Sequence, residues 1–153
     1  FVAVDPGNAE EYRKNAKALQ EELSILAVEY RDGLAHCESR DIVTAHSAFG
    51  YLASSYGLRQ MPIAGLSPDA EPSLKDLGNI AAFARSSGVR YIFFESLSSP
   101  KLAEAIAKEV GVGTLVLNPI EGLTPDEEAA GMNYFSEMRS NLSHLRQALS
   151  CMK

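Results

Sequence analysis

The sequence lacks several features that mark well-known classes of protein. None of its 153 residues is tryptophan, and its two cysteines, Cys37 and Cys151, lie neither in a CxxC pair nor in a cluster with histidine. Zinc fingers and thioredoxin-type redox pairs are therefore excluded. No apolar run approaches the roughly 18 residues of a transmembrane helix. There is also no P-loop and no GxGxxG motif, so the usual support for phosphate or dinucleotide binding is missing.

Positive charge is also scarce. Lysine and arginine together number 14 against 20 aspartates and glutamates, which gives a net charge of −6. An acidic chain of this kind argues against a nucleic-acid partner or an anionic membrane surface. The 46% of hydrophobic residues is typical of one globular domain, long enough to fold without a metal or a disulfide. Because the chain begins at Phe1, we interpret it as a fragment or a processed product.

Residues 5–36 carry one long amphipathic pattern. Apolar side chains recur every three or four positions, at Tyr12, Ala16, Leu19, Leu23, Leu26, Tyr30 and Leu34. This spacing is typical of one face of a helix, and Asp5 followed by Pro6 is a common helix start. The pattern predicts a helix long enough to connect two lobes.

From residue 40 to residue 153 strands alternate with helices. The predicted strands are 41–45, 60–66, 89–94 and 113–117, and the predicted helices are 47–56, 73–88, 100–110 and 124–151. Such alternation predicts an α/β fold, with a four-stranded, mainly parallel sheet flanked by helices and preceded by the long helix. Ligands of open α/β sheets bind beyond the carboxyl ends of the strands.

Polar residues follow each predicted strand. They are His46, the loop 67–72, Glu95 with Ser96, and the segment 118–121. His46 and Glu121 have side chains that bind metals, although a hydrogen-bonded structural histidine and a solvent-facing carboxylate are the simpler interpretations. We interpret Glu95 as a carboxylate bonded to loop amides, without a ligand role. His36 and His144, among charged and polar neighbours, are interpreted as solvated.

Catalysis has little support in the sequence. The segment 65–69 lacks the second glycine of a nucleophile elbow, and the neighbours His46 and Ser47 have no geometric reason to form a triad. Glu95 and Glu121 could be paired as glycosidase carboxylates, but nothing in the sequence selects them. We therefore predict that the chain is not an enzyme, and an α/β hydrolase is the least favoured alternative.

The two cysteines leave two interpretations open. Cys37 and Cys151 each follow the end of a predicted helix. A disulfide between them would tie the last helix to the body of the domain and would indicate an oxidising compartment. The alternative is two unrelated buried thiols.

Several separated segments, in order along nearly the whole chain, carry a resemblance to a known family. They are Asp5–Tyr12, Asp41–Leu52, Pro62–Ser73, Ile92–Glu95 and Leu117–Leu123. Together they resemble the metal-ion solute-binding proteins of bacterial ABC transporters, and their zinc-uptake branch in particular. The resemblance implies an extracytoplasmic receptor, periplasmic or a cell-surface lipoprotein, that captures Zn²⁺ for an ABC permease. Mn²⁺ is the alternative metal, and a surface adhesin module of the same family is the alternative function.

The resemblance also implies a division of the chain. The family has two α/β lobes joined by one rigid helix, and each lobe supplies two ligands to a metal held between them. Residues 5–36 correspond to this interlobe helix and residues 40–153 to the C-terminal metal-binding lobe, so we expect the N-terminal lobe to be absent. The C-terminal ligands fall on His46 and Glu121. Because two ligands make an incomplete zinc site, we expect weak zinc binding or none.

Two further expectations follow from the same resemblance. Cys37 and Cys151 match the positions at which this branch commonly has a disulfide. Without the other lobe, the stretch of helix that carries Leu19, Leu23 and Leu26 is expected to be exposed. Such a surface favours self-association of the chain.

Overall fold

Four short strands form one parallel sheet. They are β1 (Asp41–Thr44), β2 (Arg59–Pro62), β3 (Tyr91–Phe94) and β4 (Gly113–Val116). The helices are α1 (Ala9–Gly33), α2 (Gly50–Ser55), α3 (Leu74–Ser86), α4 (Lys101–Val110), α5 (Pro125–Ala129) and α6 (Tyr134–Ala148). The computed structural model describes residues 1–66 and 72–152. The predicted fold class is confirmed, although all four strands are shorter than the sequence indicated.

The order of the strands is β2-β1-β3-β4, so the chain reverses its direction across the sheet after β2. The neighbours β1 and β3 are therefore the pair from which the connections diverge. In sheets of this kind, that divergence opens a crevice at the ends of the two strands. We call the end of the sheet at which the strands finish the carboxyl edge and the opposite end the amino edge.

Helices cover both faces of the sheet, because neighbouring residues of a strand point in opposite directions. Ile42 and Phe93 pack into one core with α1, α2 and α6, while Val43 and Ile92 pack into a second core with α3 and α4. All four residues are 0 to 1% exposed. The central strands therefore bury apolar side chains on both faces.

The long helix α1 enters the core only near its end, where it packs against α6. It begins at Ala9, after a single 3-10 turn, and ends at Gly33. Leu26 and Tyr30 are buried, whereas Leu19 and Leu23 are 52% and 38% exposed. The expectation that Leu26 is exposed was therefore wrong, because this residue lies where α1 reaches the core formed with α6.

The single final helix predicted for 124–151 is instead two helices. Thr124 begins α5 with a capping box, and α5 ends at Ala129. Gly131 has a φ of 71°, a left-handed conformation in which a helix cannot continue. Asn133 then caps α6 through its side chain, which accepts from the amides of Phe135 and Ser136.

A disulfide joins Cys37 to Cys151, as the resemblance implied. Cys37 comes shortly before β1 begins, so the bond lies at the amino edge of the sheet. Main-chain hydrogen bonds run beside it, from Met152 to His36 and from Ser39 to Leu149. The end of the chain is thus fixed next to the end of α1.

Among the described residues, no helix is both long enough and apolar enough for a membrane span.

Candidate metal centre

His46 lies at the carboxyl edge, just beyond β1, and its backbone is firmly held. The Thr44 hydroxyl donates to the His46 carbonyl over 2.9 Å, and Nε2 of Gln60 donates to the same carbonyl over 2.9 Å. Gln60 also donates to the Thr44 hydroxyl over 2.7 Å. His46 itself is extended and is only 3% exposed. These contacts fix the direction in which the imidazole leaves the main chain.

The imidazole of His46 is bonded to the carboxylate of Glu95. Glu95 directly follows β3, the strand next to β1, and is 4% exposed. When Glu95 is ionised its carboxylate can only accept, so Nδ1 of His46 then donates to Oε1 of Glu95. The interpretation of Glu95 as bonded to loop amides was therefore wrong, since its described side-chain partner is the histidine. The pairing leaves Nε2 as the ring nitrogen with a lone pair for a ligand.

The charge state of Glu95 depends on opposing effects. Burial raises the pKa of the Glu95 carboxyl, because the charged form loses hydration. The hydrogen bond from His46 acts in the opposite direction and lowers this pKa, as does the positive charge of the ring when it is protonated. The negative charge of Glu121 raises it again and is the smallest of these effects.

Glu121 lies in the loop that follows β4, at the same carboxyl edge. Its side chain is exposed. The preceding residue, Ile120, has a φ of 64°, and a β-branched residue in the left-handed region costs of order 1–2 kcal/mol. The Ile120 amide donates to Oδ1 of Asn118 over 2.8 Å, which supports this conformation. Backbone strain of this kind is found at functional loops more often than elsewhere.

Only some of the polar residues that follow the predicted strands come together at the carboxyl edge. His46 and Glu95 are in contact, and Glu121 acts on Glu95 through its charge. Within residues 1–66 and 72–152, no three side chains of His, Cys, Asp or Glu come close enough together to hold a metal ion. The predicted loop 67–72 lies outside the described residues except for Pro72.

The other two histidines differ from each other. His36 is exposed, as predicted. His144 is partly buried on α6, and its Nδ1 donates to the carbonyl of Val116 over 2.8 Å. The interpretation of His144 as solvated was therefore wrong, because α6 packs this ring against the end of β4.

Sequence reasoning missed the role of Glu95 and of two buried asparagines, Asn118 and Asn141. Each asparagine bonds the other, and together they join the end of β4 to α6. The position of Glu95 directly after the predicted strand 89–94 was a usable signal. Nothing in the sequence indicated the partner of Asn141, because α6 offers many polar residues of similar appearance.

A parallel sheet covered on both faces, with a buried histidine–carboxylate pair at the divergence of its strands, defines an α/β ligand-binding lobe. The family model described as "Zinc-uptake complex component A periplasmic" matches residues 1–148, and the chain belongs to this family. The family is one of zinc-uptake components rather than of enzymes.

Individual relatives agree with this assignment. The high-affinity zinc uptake system protein ZnuA of Bacillus subtilis is 43% identical over 149 residues, which are 97% of this chain and 47% of the relative. The solved Zn(II)-bound ZnuA-like domain of Streptococcus pneumoniae AdcA is 44% identical with a TM-score of 0.80, over 97% of this chain and 55% of that one.

A second solved structure bears on the alternative function. It is the laminin-binding protein Lmb of Streptococcus agalactiae, described as bifunctional, with adhesin and metal transporting activity. It is 38% identical with a TM-score of 0.87, over 97% of this chain and 56% of that one. The chain therefore spans about half the length of the relatives it matches.

Proposed function

We propose that this chain is the C-terminal lobe, together with the connecting helix, of an extracytoplasmic receptor that captures Zn²⁺ for an ABC importer. The observation that carries this proposal is the hydrogen bond from Nδ1 of His46 to Glu95. Histidines that bind zinc almost always donate their other ring N–H to a carboxylate or a carbonyl, which fixes the tautomer and makes the free nitrogen a better ligand. Nε2 of His46 has this chemistry, and zinc is the cargo it binds.

Glu121 supplies the second ligand in this proposal. Its carboxylate is exposed at the carboxyl edge, close enough to raise the pKa of Glu95 by its charge. One imidazole nitrogen and one carboxylate oxygen are donors that zinc accepts. Neutral nitrogen donors favour zinc, whereas Mn²⁺ prefers oxygen ligands, so we place Mn²⁺ second.

The site in this chain is half of a complete zinc site. Zinc commonly takes four ligands, and His46 and Glu121 supply two. We propose that an N-terminal lobe of the same protein supplies the others by closing over the carboxyl edge, and that α1 connects the lobes. The ABC permease is then the partner that receives the metal, in the periplasm or at the cell surface. The family description, which includes the word periplasmic, supports this location.

Titration of the chain with Zn²⁺ at neutral pH tests the proposal. Nuclear magnetic resonance detects weak binding, so the side-chain signals of His46 and the amide of Glu121 are followed. We expect both to shift with a weak dissociation constant, and His46→Ala or Glu121→Ala to remove the response. His36→Ala is the matched control, since this exposed histidine lies near the amino edge. Unchanged binding by His46→Ala contradicts the ligand assignment, and sub-micromolar binding by the monomer contradicts the half-site.

An adhesin is the second candidate function. The likeness to Lmb, which is described as both adhesin and metal transporter, favours it. Immobilised laminin presented to the chain, with and without Zn²⁺, separates the two functions. Binding that persists in His46→Ala indicates an adhesion surface distinct from the metal centre, whereas no binding to laminin contradicts adhesion by this part of the protein.

We also propose that the chain associates with a second copy of itself through α1. Leu19, Leu23, Ile25 and Val28 are between 38% and 55% exposed, so α1 presents apolar side chains to solvent. Sedimentation velocity over a range of concentrations tests this. We expect a concentration-dependent dimer that Leu19→Glu with Ile25→Glu abolishes, and a monomer at all concentrations contradicts the proposal.

A further inference from the structure

Two buried asparagines connect the loop of Glu121 to α6. The main-chain N–H of Asn118 donates to Oδ1 of Asn141 over 2.8 Å, and Nδ2 of Asn141 donates back to the Asn118 carbonyl over 2.7 Å. Asn118 is 2% exposed and Asn141 is 4% exposed. We call this reciprocal pair the asparagine clasp. The clasp satisfies both the main-chain N–H and the carbonyl of Asn118. Asn118 directly follows Leu117, the residue that comes after the end of β4.

The side chain of Asn118 extends the clasp in two further directions. Its Oδ1 accepts from the Ile120 amide over 2.8 Å, and its Nδ2 donates to the Ser96 hydroxyl over 2.9 Å. The same Nδ2 lies 3.3 Å from Oε2 of the buried Glu137. Because a carboxylate only accepts, Glu137 fixes which end of the amide faces it. Oδ1 must therefore face the amide of Ile120.

This orientation decides the course of the chain toward Glu121. Ile120 has a φ of 64°, a conformation that branched side chains rarely take without support. The bond from its amide to Asn118 provides that support. Within the described residues, no hydrogen bond holds the Glu121 carboxylate itself. Its position therefore depends on the backbone of Ile120.

We propose that the asparagine clasp is the positioning element that aims the Glu121 carboxylate at Zn²⁺. This inference rests on the proposed function, since it takes Glu121 as a zinc ligand. Asn118 and Asn141 do not touch the metal; they act through Ile120 and the backbone of the loop. Outer groups that orient a metal ligand typically change metal affinity by about 10- to 100-fold when they are removed.

Asn141→Ala tests the clasp, because it removes both bonds to the main chain of Asn118. The variant and the wild type are titrated with Zn²⁺ by the same resonance method, and hydrogen exchange of the Ile120 amide is measured alongside. The matched control is Leu142→Ala on the same helix. Leu142 is buried and faces Gly33 of α1 rather than the loop, so its loss lowers stability without touching the clasp.

For Asn141→Ala we expect a zinc dissociation constant at least about 10-fold weaker and faster exchange of the Ile120 amide. Leu142→Ala is expected to bind zinc like the wild type while it unfolds more easily. Asn118→Ala is the second variant, used if Asn141→Ala does not fold, because its main chain can still bond to Asn141. It carries the same expectation for zinc and for Ile120.

The outcomes separate the inference from the proposed function. If the wild type responds to zinc at His46 and Glu121 and the folded clasp variant responds equally, the clasp is overturned and the metal site stands. Equal weakening in the clasp variant and in Leu142→Ala also overturns the clasp, since a general loss of stability explains both. If the wild type shows no response at either residue, the metal site and the clasp fail together.

Discussion

A hydrogen bond between Nδ1 of His46 and Oε1 of Glu95 joins two residues that are 49 positions apart in the sequence. The two residues follow neighbouring strands of the sheet. Both side chains are about 5% exposed or less. The bond therefore forms away from bulk water, where it orients the imidazole more firmly than a surface contact would.

The first prediction concerns Glu95. Glu95→Ala is expected to weaken zinc binding by up to about 100-fold. Glu95→Gln is expected to weaken it by about 10-fold, because the uncharged glutamine oxygen can still accept the hydrogen bond from Nδ1. Zinc titration of each variant measures the change. Glu109→Gln is the control, since Glu109 makes an exposed ion pair with Arg85. An unchanged dissociation constant in Glu95→Ala contradicts the assigned role of the pair.

The second prediction concerns the disulfide. Cys37 and Cys151 are separated by 114 residues. A loop of that size contributes about 4–5 kcal/mol to the free energy of unfolding in the chain-entropy model. Urea unfolding of Cys37→Ser with Cys151→Ser is expected to show a loss of that order. Zinc affinity is expected to stay the same, because the bond lies at the amino edge and His46 at the carboxyl edge. A large loss of zinc affinity in the folded double variant contradicts this separation.

The third prediction concerns alkaline pH. Burial raises the pKa of the Tyr30 hydroxyl well above its ordinary value, and the hydroxyl donates to the Met138 carbonyl over 2.6 Å. Since the folded pKa is the higher one, the stabilisation is complete below the unfolded pKa of about 10 and is lost as the pH rises above it. One such group lowers the free energy of unfolding by about 1.4 kcal/mol per pH unit.

Urea unfolding between pH 9 and pH 11.5 measures this effect as a slope. Tyr30→Phe is expected to show a shallower decline than the wild type by about that amount. Tyr51→Phe, at a ring that is 94% exposed, is expected to keep the slope of the wild type. Equal slopes in all three proteins would show that Tyr30 ionises without unfolding.

The fourth prediction concerns the close approach of Tyr91 to Gly113. These residues are paired across β3 and β4, and a Cβ on Gly113 would lie 2.8 Å from the Tyr91 ring. Gly113→Ala is therefore expected to lower the free energy of unfolding by about 1–3 kcal/mol. In a Tyr91→Ser background the same change is expected to cost less than half as much. Equal costs in the two backgrounds would show that the ring does not limit this position.

Much of the fold could be predicted because it depends on local patterns. The apolar strand Ile92–Phe93 and the amphipathic spacing around Leu26 and Tyr30 each indicate their own structure. The break between α5 and α6 was also visible, as Gly131 and Asn133 are typical of a helix end and a helix start. It was missed because the apolar spacing continues on both sides of the break.

The candidate site could be predicted only in part, because its contacts join distant segments. His46 and Glu121 were found through a resemblance, since no local pattern brings them together. The bond between His46 and Glu95 depends on β1 and β3 being neighbours. The strand order that makes them neighbours is a property of the whole sheet, which no short segment of the sequence encodes.

The bond between Cys37 and Cys151 has a consequence for limited proteolysis. It closes a covalent ring that contains every strand and the helices α2 to α6, while α1 lies outside it. A single cut of the backbone anywhere inside the ring leaves one molecule on a non-reducing gel and two fragments after reduction. A cut within α1 releases its leading part under either condition. The same protease can therefore report separately on α1 and on the part of the chain that contains the sheet.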